Sequence, residues 1–182
     1  MKKTLSYIFK HCTTSLFCAL ISITANLVIA QDRDSAEIPV YTYLIVNSFP
    51  HDHQAYTQGL FYADGFLYES TGRRGESTLR KVDLQTGATL QWQRLGDNYF
   101  GEGITLFNNQ ILQLTWQAYT GFVYDRESLI VLEEFYYNTE GWGLTSDGER
   151  LIMSDGSPNI YFMEPGTFAE IDRIDRLNLM AR

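Results

Sequence analysis

Gln58, Glu102 and Trp142 share one setting. Each stands directly before a glycine and an aliphatic residue: Gln58-Gly59-Leu60, Glu102-Gly103-Ile104 and Trp142-Gly143-Leu144. The three glycines are 44 and 40 positions apart. A carboxylate, an amide and an indole brought together are suited to acid–base chemistry. The carboxylate can move a proton, and the amide can hold a polarised group. Trp116 follows Leu114-Thr115, and with Trp142, Phe100 and Tyr56 it would wall in Glu102. Such a wall buries a ligand and offers ring faces to a cation. It also disfavours a charged carboxylate, so the Glu102 pKa should rise toward neutrality. The plainer alternative is that these are packing positions at a crowded axis.

Something must carry residues so far apart to one place, and the recurrence suggests what. After each opening comes a turn rich in Asp, Asn or Gly: Ala63-Asp64-Gly65, Phe107-Asn108-Asn109 and Ser146-Asp147-Gly148. A second apolar run follows, then a third ending near an acid (Asp83, Asp125, Glu164), then a fourth. The runs are short, β-branched or aromatic, and bounded by turn residues, as strands and hairpins are. No stretch beyond residue 30 holds a helical period for three turns. Four strands per unit of about 40 residues is the arithmetic of a β-propeller blade. A sandwich would give the strand spacing but not the recurring X-Gly-aliphatic opening. The fold class expected is all-β, with four-stranded antiparallel blades. The innermost strand of each blade opens on the motif, so the three X residues face the axis. Val40–Phe49 also reads as a strand, one that completes the last blade and closes the ring. Three repeats occupy about 57–175, while propellers have four to eight blades. The chain therefore reads as truncated, an incomplete propeller spanning 31–182.

Bulk composition narrows the function. The 182 residues hold 22 acidic and 14 basic side chains, a net charge of −8. That argues against nucleic acid, which is bound largely through Lys and Arg on phosphates. An aromatic content of 14% excludes a disordered acidic chain. Residues 1–30 differ from the rest. Lys2, Lys3 and Lys10 are the only charges before Asp32, Leu16–Ala30 is largely apolar, and Val28-Ile29-Ala30 offers a cleavage site. This reads as a secretory signal peptide, with an uncleaved anchor as the alternative. Its removal takes three lysines and no acid, leaving 11 basic and 22 acidic residues, net −11. Cys12 and Cys18 leave with it, so the expected mature domain has no disulfide and no thiol nucleophile. The location expected is secreted or periplasmic.

A set of motifs adds a resemblance. Tyr56-Thr-Gln-Gly-Leu60, Tyr68-Glu-Ser-Thr-Gly72, Tyr99-Phe-Gly-Glu-Gly-Ile104, Leu114-Thr-Trp116, Glu140-Gly-Trp-Gly-Leu144 and Ser154-Asp-Gly-Ser157 closely resemble the plant-type and bacterial glutamine cyclotransferases. The resemblance runs from about Phe49 to Ile174. It implies a five-bladed propeller and conversion of N-terminal glutamine into pyroglutamate with release of ammonia. It matches Glu102 to the catalytic glutamate and Gln58 to the substrate-binding glutamine. Tyr56 stands where the family often has Phe, and Phe100, Trp116 and Trp142 match the aromatic pocket. The family's later Asn-Glu-Leu-Glu-like motif, further tryptophan and distal lysine have no counterpart before Arg182. The reaction needs no metal and no organic cofactor. The partners expected are peptides or proteins with N-terminal Gln, taken by a monomer with no nucleic acid and no membrane attachment once the signal is cleaved. A propeller that only binds a partner, or an inactive fragment of the enzyme, are the alternatives.

Two further segments have ordinary readings. Arg73-Arg74-Gly75-Glu76 is a solvated hairpin tip, where exposed charges are common. His51 and His53 alternate at strand spacing, but turn capping suits them better than metal ligation, since no further ligand set is evident.

Overall fold

The structure is a computed structural model that describes residues 39–175. The expected signal peptide 1–30, both cysteines and the tail 176–182 lie outside the described residues. Twelve strands and no helix occur among the described residues, all within the unit that begins at Val46. They form three four-stranded antiparallel sheets, each in sequence order. The first holds β1 (Thr57–Ala63), β2 (Phe66–Thr71), β3 (Thr78–Asp83) and β4 (Thr89–Arg94). The second holds β5 (Gly101–Phe107), β6 (Gln110–Thr115), β7 (Thr120–Asp125) and β8 (Val131–Tyr136). The third holds β9 (Leu144–Ser146), β10 (Leu151–Ser154), β11 (Asn159–Met163) and β12 (Glu170–Asp175). Each repeat in the sequence is one sheet, and each sheet is a propeller blade.

Local chemistry sets the turns. The β1–β2 hairpin turns on Asp64 and Gly65, with φ of 49° and 90°. The β5–β6 hairpin turns on Asn108 and Asn109, with φ of 47° and 63°. Two successive positive φ values are what a tight hairpin needs to match strand twist, and Asn, Asp and Gly adopt them most readily. The recurring acid of the third run closes the next turn. Asp83 Oδ1 accepts from Thr86 N at 2.8 Å and Thr86 Oγ1 at 2.7 Å. Asp125 Oδ1 accepts from Ser128 N at 2.8 Å and Ser128 Oγ at 2.6 Å. These acids are therefore turn-forming residues.

Packing between sheets follows the alternation of each strand. On β6, Ile111 joins a cluster with Tyr68, Leu79 and Phe122 against the first sheet. Leu112 and Leu114, one residue out of phase, join Val123, Phe135, Leu151 and Met153 against the third. β6 and β7 are consequently buried along most of their length. A polar link crosses the first seam: Tyr124 Oη donates to Gln113 Oε1 at 2.7 Å, and Gln113 Nε2 donates to Ser70 Oγ at 2.6 Å. Every buried side-chain polar atom among the described residues has a hydrogen-bond partner.

One expected strand is absent. Val40–Phe49 has the composition of a strand but forms none, and its apolar residues are exposed. Strand propensity reflects packing and pairing with neighbours more than an intrinsic backbone preference. No described strand pairs with this run.

Candidate active site

Gln58 and Glu102 occupy equivalent places at the starts of β1 and β5. Both fall where the pairing register shifts, between Thr57 and Gly59 on β1 and between Gly101 and Ile104 on β5. Such irregularities re-aim a side chain out of the ladder. The two side chains meet. Gln58 Nε2 lies 2.9 Å from Glu102 Oε1 and 2.9 Å from Glu102 Oε2, so the amide spans the carboxylate. The strands that carry them are packed without clearance. A Cβ on Gly59 would lie 2.7 Å from Ile104 N, and one on Gly103 would lie 2.5 Å from Trp142 O. The glycines of the first two motifs thus let the next repeat approach, and Gly103 N donates to Trp142 O at 2.7 Å.

Glu102 is 9% exposed. Burial pushes its carboxyl up from the usual carboxylate range to about 7. The Gln58 hydrogen bond opposes the rise, and the negative charge of Glu140 adds to it. A carboxyl poised near neutrality can both take and give a proton at physiological pH.

The aromatic residues are arranged in a chain beside this pair. Tyr56 and Phe100 meet edge to face with centroids 6.1 Å apart. Phe100 and Trp116 do so at 5.7 Å. Gly72 makes room for Phe100, since a Cβ there would come within 2.5 Å of the ring and 3.1 Å of Gln58 Cγ. Trp116 is held from behind: Thr115 N donates to Tyr137 Oη at 2.9 Å, and that hydroxyl lies 2.6 Å from Thr115 O.

Trp142 is placed differently from Gln58 and Glu102. It precedes β9 instead of opening it, and it is 47% exposed. Its indole is tied to Glu140, a residue that motif spacing alone did not single out. Glu140 Oε2 accepts from Trp116 Nε1 at 2.7 Å and from Trp142 Nε1 at 3.0 Å. These bonds, with one from Gln117, hold the Glu140 carboxyl below its ordinary range. The sequence signal was available: Glu140 lies two positions from Trp142, so the two side chains can share one side of an extended segment.

His51 pairs with a buried acid instead of capping a turn. His51 Nε2 lies 2.9 Å from Oε1 of Glu69, which is 1% exposed and also accepts from Thr57 Oγ1 at 2.5 Å. No cluster of three or more His, Cys, Asp or Glu side chains suited to a metal occurs among the described residues.

Blade-like sheets whose innermost strands bring an amide onto a buried acid, beside a run of aromatic rings, define a β-propeller with a candidate acid–base centre. The chain belongs to the glutamine cyclotransferase family, whose profile matches residues 18–178. It is 44% identical over 131 residues to a glutaminyl-peptide cyclotransferase of Arabidopsis thaliana, covering 71% of this chain and 41% of that protein. The crystal structure of Myxococcus xanthus glutaminyl cyclase superposes with a TM-score of 0.64 at 33% identity, over 70% of this chain and 53% of the other. The chain thus spans about half the length of the relatives it matches. The WD40 domain of Neurospora crassa Pan2 matches in fold, with a TM-score of 0.56 at 13% identity over 65% of this chain and 36% of that one.

Proposed function

We propose that the site around Glu102 converts the N-terminal glutamine of a peptide or protein into pyroglutamate, releasing ammonia. The observation that carries this reading is the Gln58–Glu102 pair. A carboxamide rests on both oxygens of a carboxyl whose pKa is near 7. Cyclisation needs a carboxyl that can work on a carboxamide.

The nucleophile is the substrate's own α-amine, whose free pKa of about 7.7–8.0 makes its neutral form accessible. It attacks the γ-carbonyl carbon of the same residue, forming the ring C–N bond. Glu102, ionised, takes a proton from that nitrogen. The C–N bond to the amide nitrogen then breaks, and Glu102 returns the proton so that ammonia leaves. Gln58 hydrogen-bonds the substrate amide or the developing oxyanion. Phe100, Trp116, Trp142 and Tyr56 hold the side chain in a folded conformer and exclude water. Closing two groups already held together supplies much of the acceleration. Each step uses the chain's own residues.

The test is ammonia release from a Gln-initiated dipeptide. Release by the wild-type chain that Glu102→Gln abolishes supports the reading. No release, or undiminished release by the variant, refutes it. Export to the periplasm or outside the cell is part of the proposal, resting on the basic start, apolar run and Val28-Ile29-Ala30 ending. Cleavage after Ala30 leaves Gln31 at the new terminus, itself a substrate. Mass spectrometry of the exported chain should show that terminus short of one ammonia.

A further inference from the structure

The hairpin between β2 and β3 is more than a solvated tip. Its two arginines lie over two rings of the aromatic run. Arg73 Cζ is 4.8 Å from the Tyr56 centroid, and Arg74 Cζ is 5.9 Å from that of Trp116. Phe100 contacts both rings, so the two arginines sit on the rings at either end of this run. A guanidinium stacked on a ring uses its face there and keeps its N–H edges for a planar anion.

Those edges are little used. Arg74 has one hydrogen bond, to Gln117 Oε1 at 3.3 Å, and no carboxylate within ion-pair distance among the described residues. Arg73 faces Glu76 at 3.8 Å, a pair with both partners more than half exposed, of the kind water screens strongly. Arg80, by contrast, is committed to Asp52 at 2.9 Å. Arg73 also lines a cavity of about 550 Å³ that shares Tyr56 and Gly72 with the site. Asp52, Glu76 and Arg80 line the cavity as well, and Tyr56 joins it to the aromatic run beside Glu102. The remainder of the chain is acidic, so a negative peptide needs a local cation to approach.

We infer that Arg73 and Arg74 form a cationic lip that receives a carboxylate on the substrate chain beyond its N-terminal residue, which makes acidic peptides the preferred class. This assignment rests on the reading that the first residue of a peptide enters the site of Glu102.

The test separates the two ideas by measuring binding apart from turnover. Quenching of tryptophan fluorescence reports the affinity of Gln-Ala-Asp-Gly-amide and of its neutral counterpart Gln-Ala-Asn-Gly-amide. The acidic peptide should bind about three- to tenfold more tightly at about 20 mM salt, with the ratio falling below about twofold at about 0.5 M. Arg74→Gln should bring the ratio close to one. Arg73→Gly should reduce it too, and glycine suits the left-handed backbone at that position, where φ is 76°. Glu76→Gln, which frees Arg73, should raise it. Equal binding of the two peptides, a preference that survives both arginine variants, or no binding of either peptide overturns the inference. Acid-selective binding without ammonia release upholds the lip and refutes the cyclisation. Ammonia release without acid selectivity does the reverse.

Discussion

Replacing Glu102 with glutamine should make the protein more stable at pH 8 while abolishing the proposed reaction. The carboxyl titrates near 4.5 when solvated and near 7 when folded. As pH rises past 4.5, the unfolded chain ionises while the folded chain holds its proton. The stability that this group contributes is thus full below 4.5, lost progressively toward 7, and constant above. The gap between the two values corresponds to about 3 kcal/mol. Water at the open side of the site screens part of that, leaving about 2 kcal/mol. An amide in place of the carboxyl carries no charge and keeps an oxygen to accept from Gln58 Nε2. Urea denaturation of both proteins at pH 8 and pH 4 measures the effect. The variant should exceed wild type by about 2 kcal/mol at pH 8, with the margin closing at pH 4. Equal stabilities at pH 8, or a margin unchanged at pH 4, would refute the claim that Glu102 is kept in an environment hostile to its charge.

The remaining predictions concern the walls of the site. Glu140→Gln removes a negative charge from beside Glu102, so the Glu102 pKa falls and the acidic limb of kcat/KM against pH moves to lower pH. Glu140→Ala releases both indoles, and KM for a Gln-initiated peptide should rise about tenfold, equivalent to about 1.4 kcal/mol. Gly72→Ala forces a methyl to within 2.5 Å of Phe100, and urea denaturation should show a loss of about 1–3 kcal/mol. Tyr137→Phe removes the hydroxyl that binds Thr115 N and lies beside Thr115 O, at a cost of about 1–2 kcal/mol by the same measurement.

The repeats were legible because each recurs with its own punctuation. Asp64-Gly65 and Asn108-Asn109 announce their hairpins, since few residues other than Gly, Asn and Asp adopt such backbone angles. That Gln58 and Glu102 converge was legible from equivalence alone, because matching positions on neighbouring blades face one place; their direct hydrogen bond was not. Trp142 shows where that reasoning stops. β9 has only three residues, so the third motif lies in the segment ahead of the strand, and its side chain is set by Glu140 instead of by the pleat. The role of Glu140 depends on bringing Trp116 within reach, a contact across 24 positions with no local signature. Val40–Phe49 misled because strand-like composition reports what a segment favours, whereas strands are stabilised by the neighbours they pair and pack with. Arg73 and Arg74 read as ordinary surface charge because their ring partners are distant in sequence.

The glycines at the seams turn the spacing of the sheets into a calibration of the site. Gly59 lies against the backbone of Ile104 and Glu102, so the first two blades are held at the separation of bare main chains. The Gln58–Glu102 pair is split across that seam, one partner to each blade. Its alignment is thus a property of the interface and belongs to neither blade alone. Substitutions in the cluster of Tyr68, Leu79, Ile111 and Phe122, remote from any substrate, would register as detuning of the Gln58–Glu102 distance. Side chains in that interior are constrained by gauge as well as by fit.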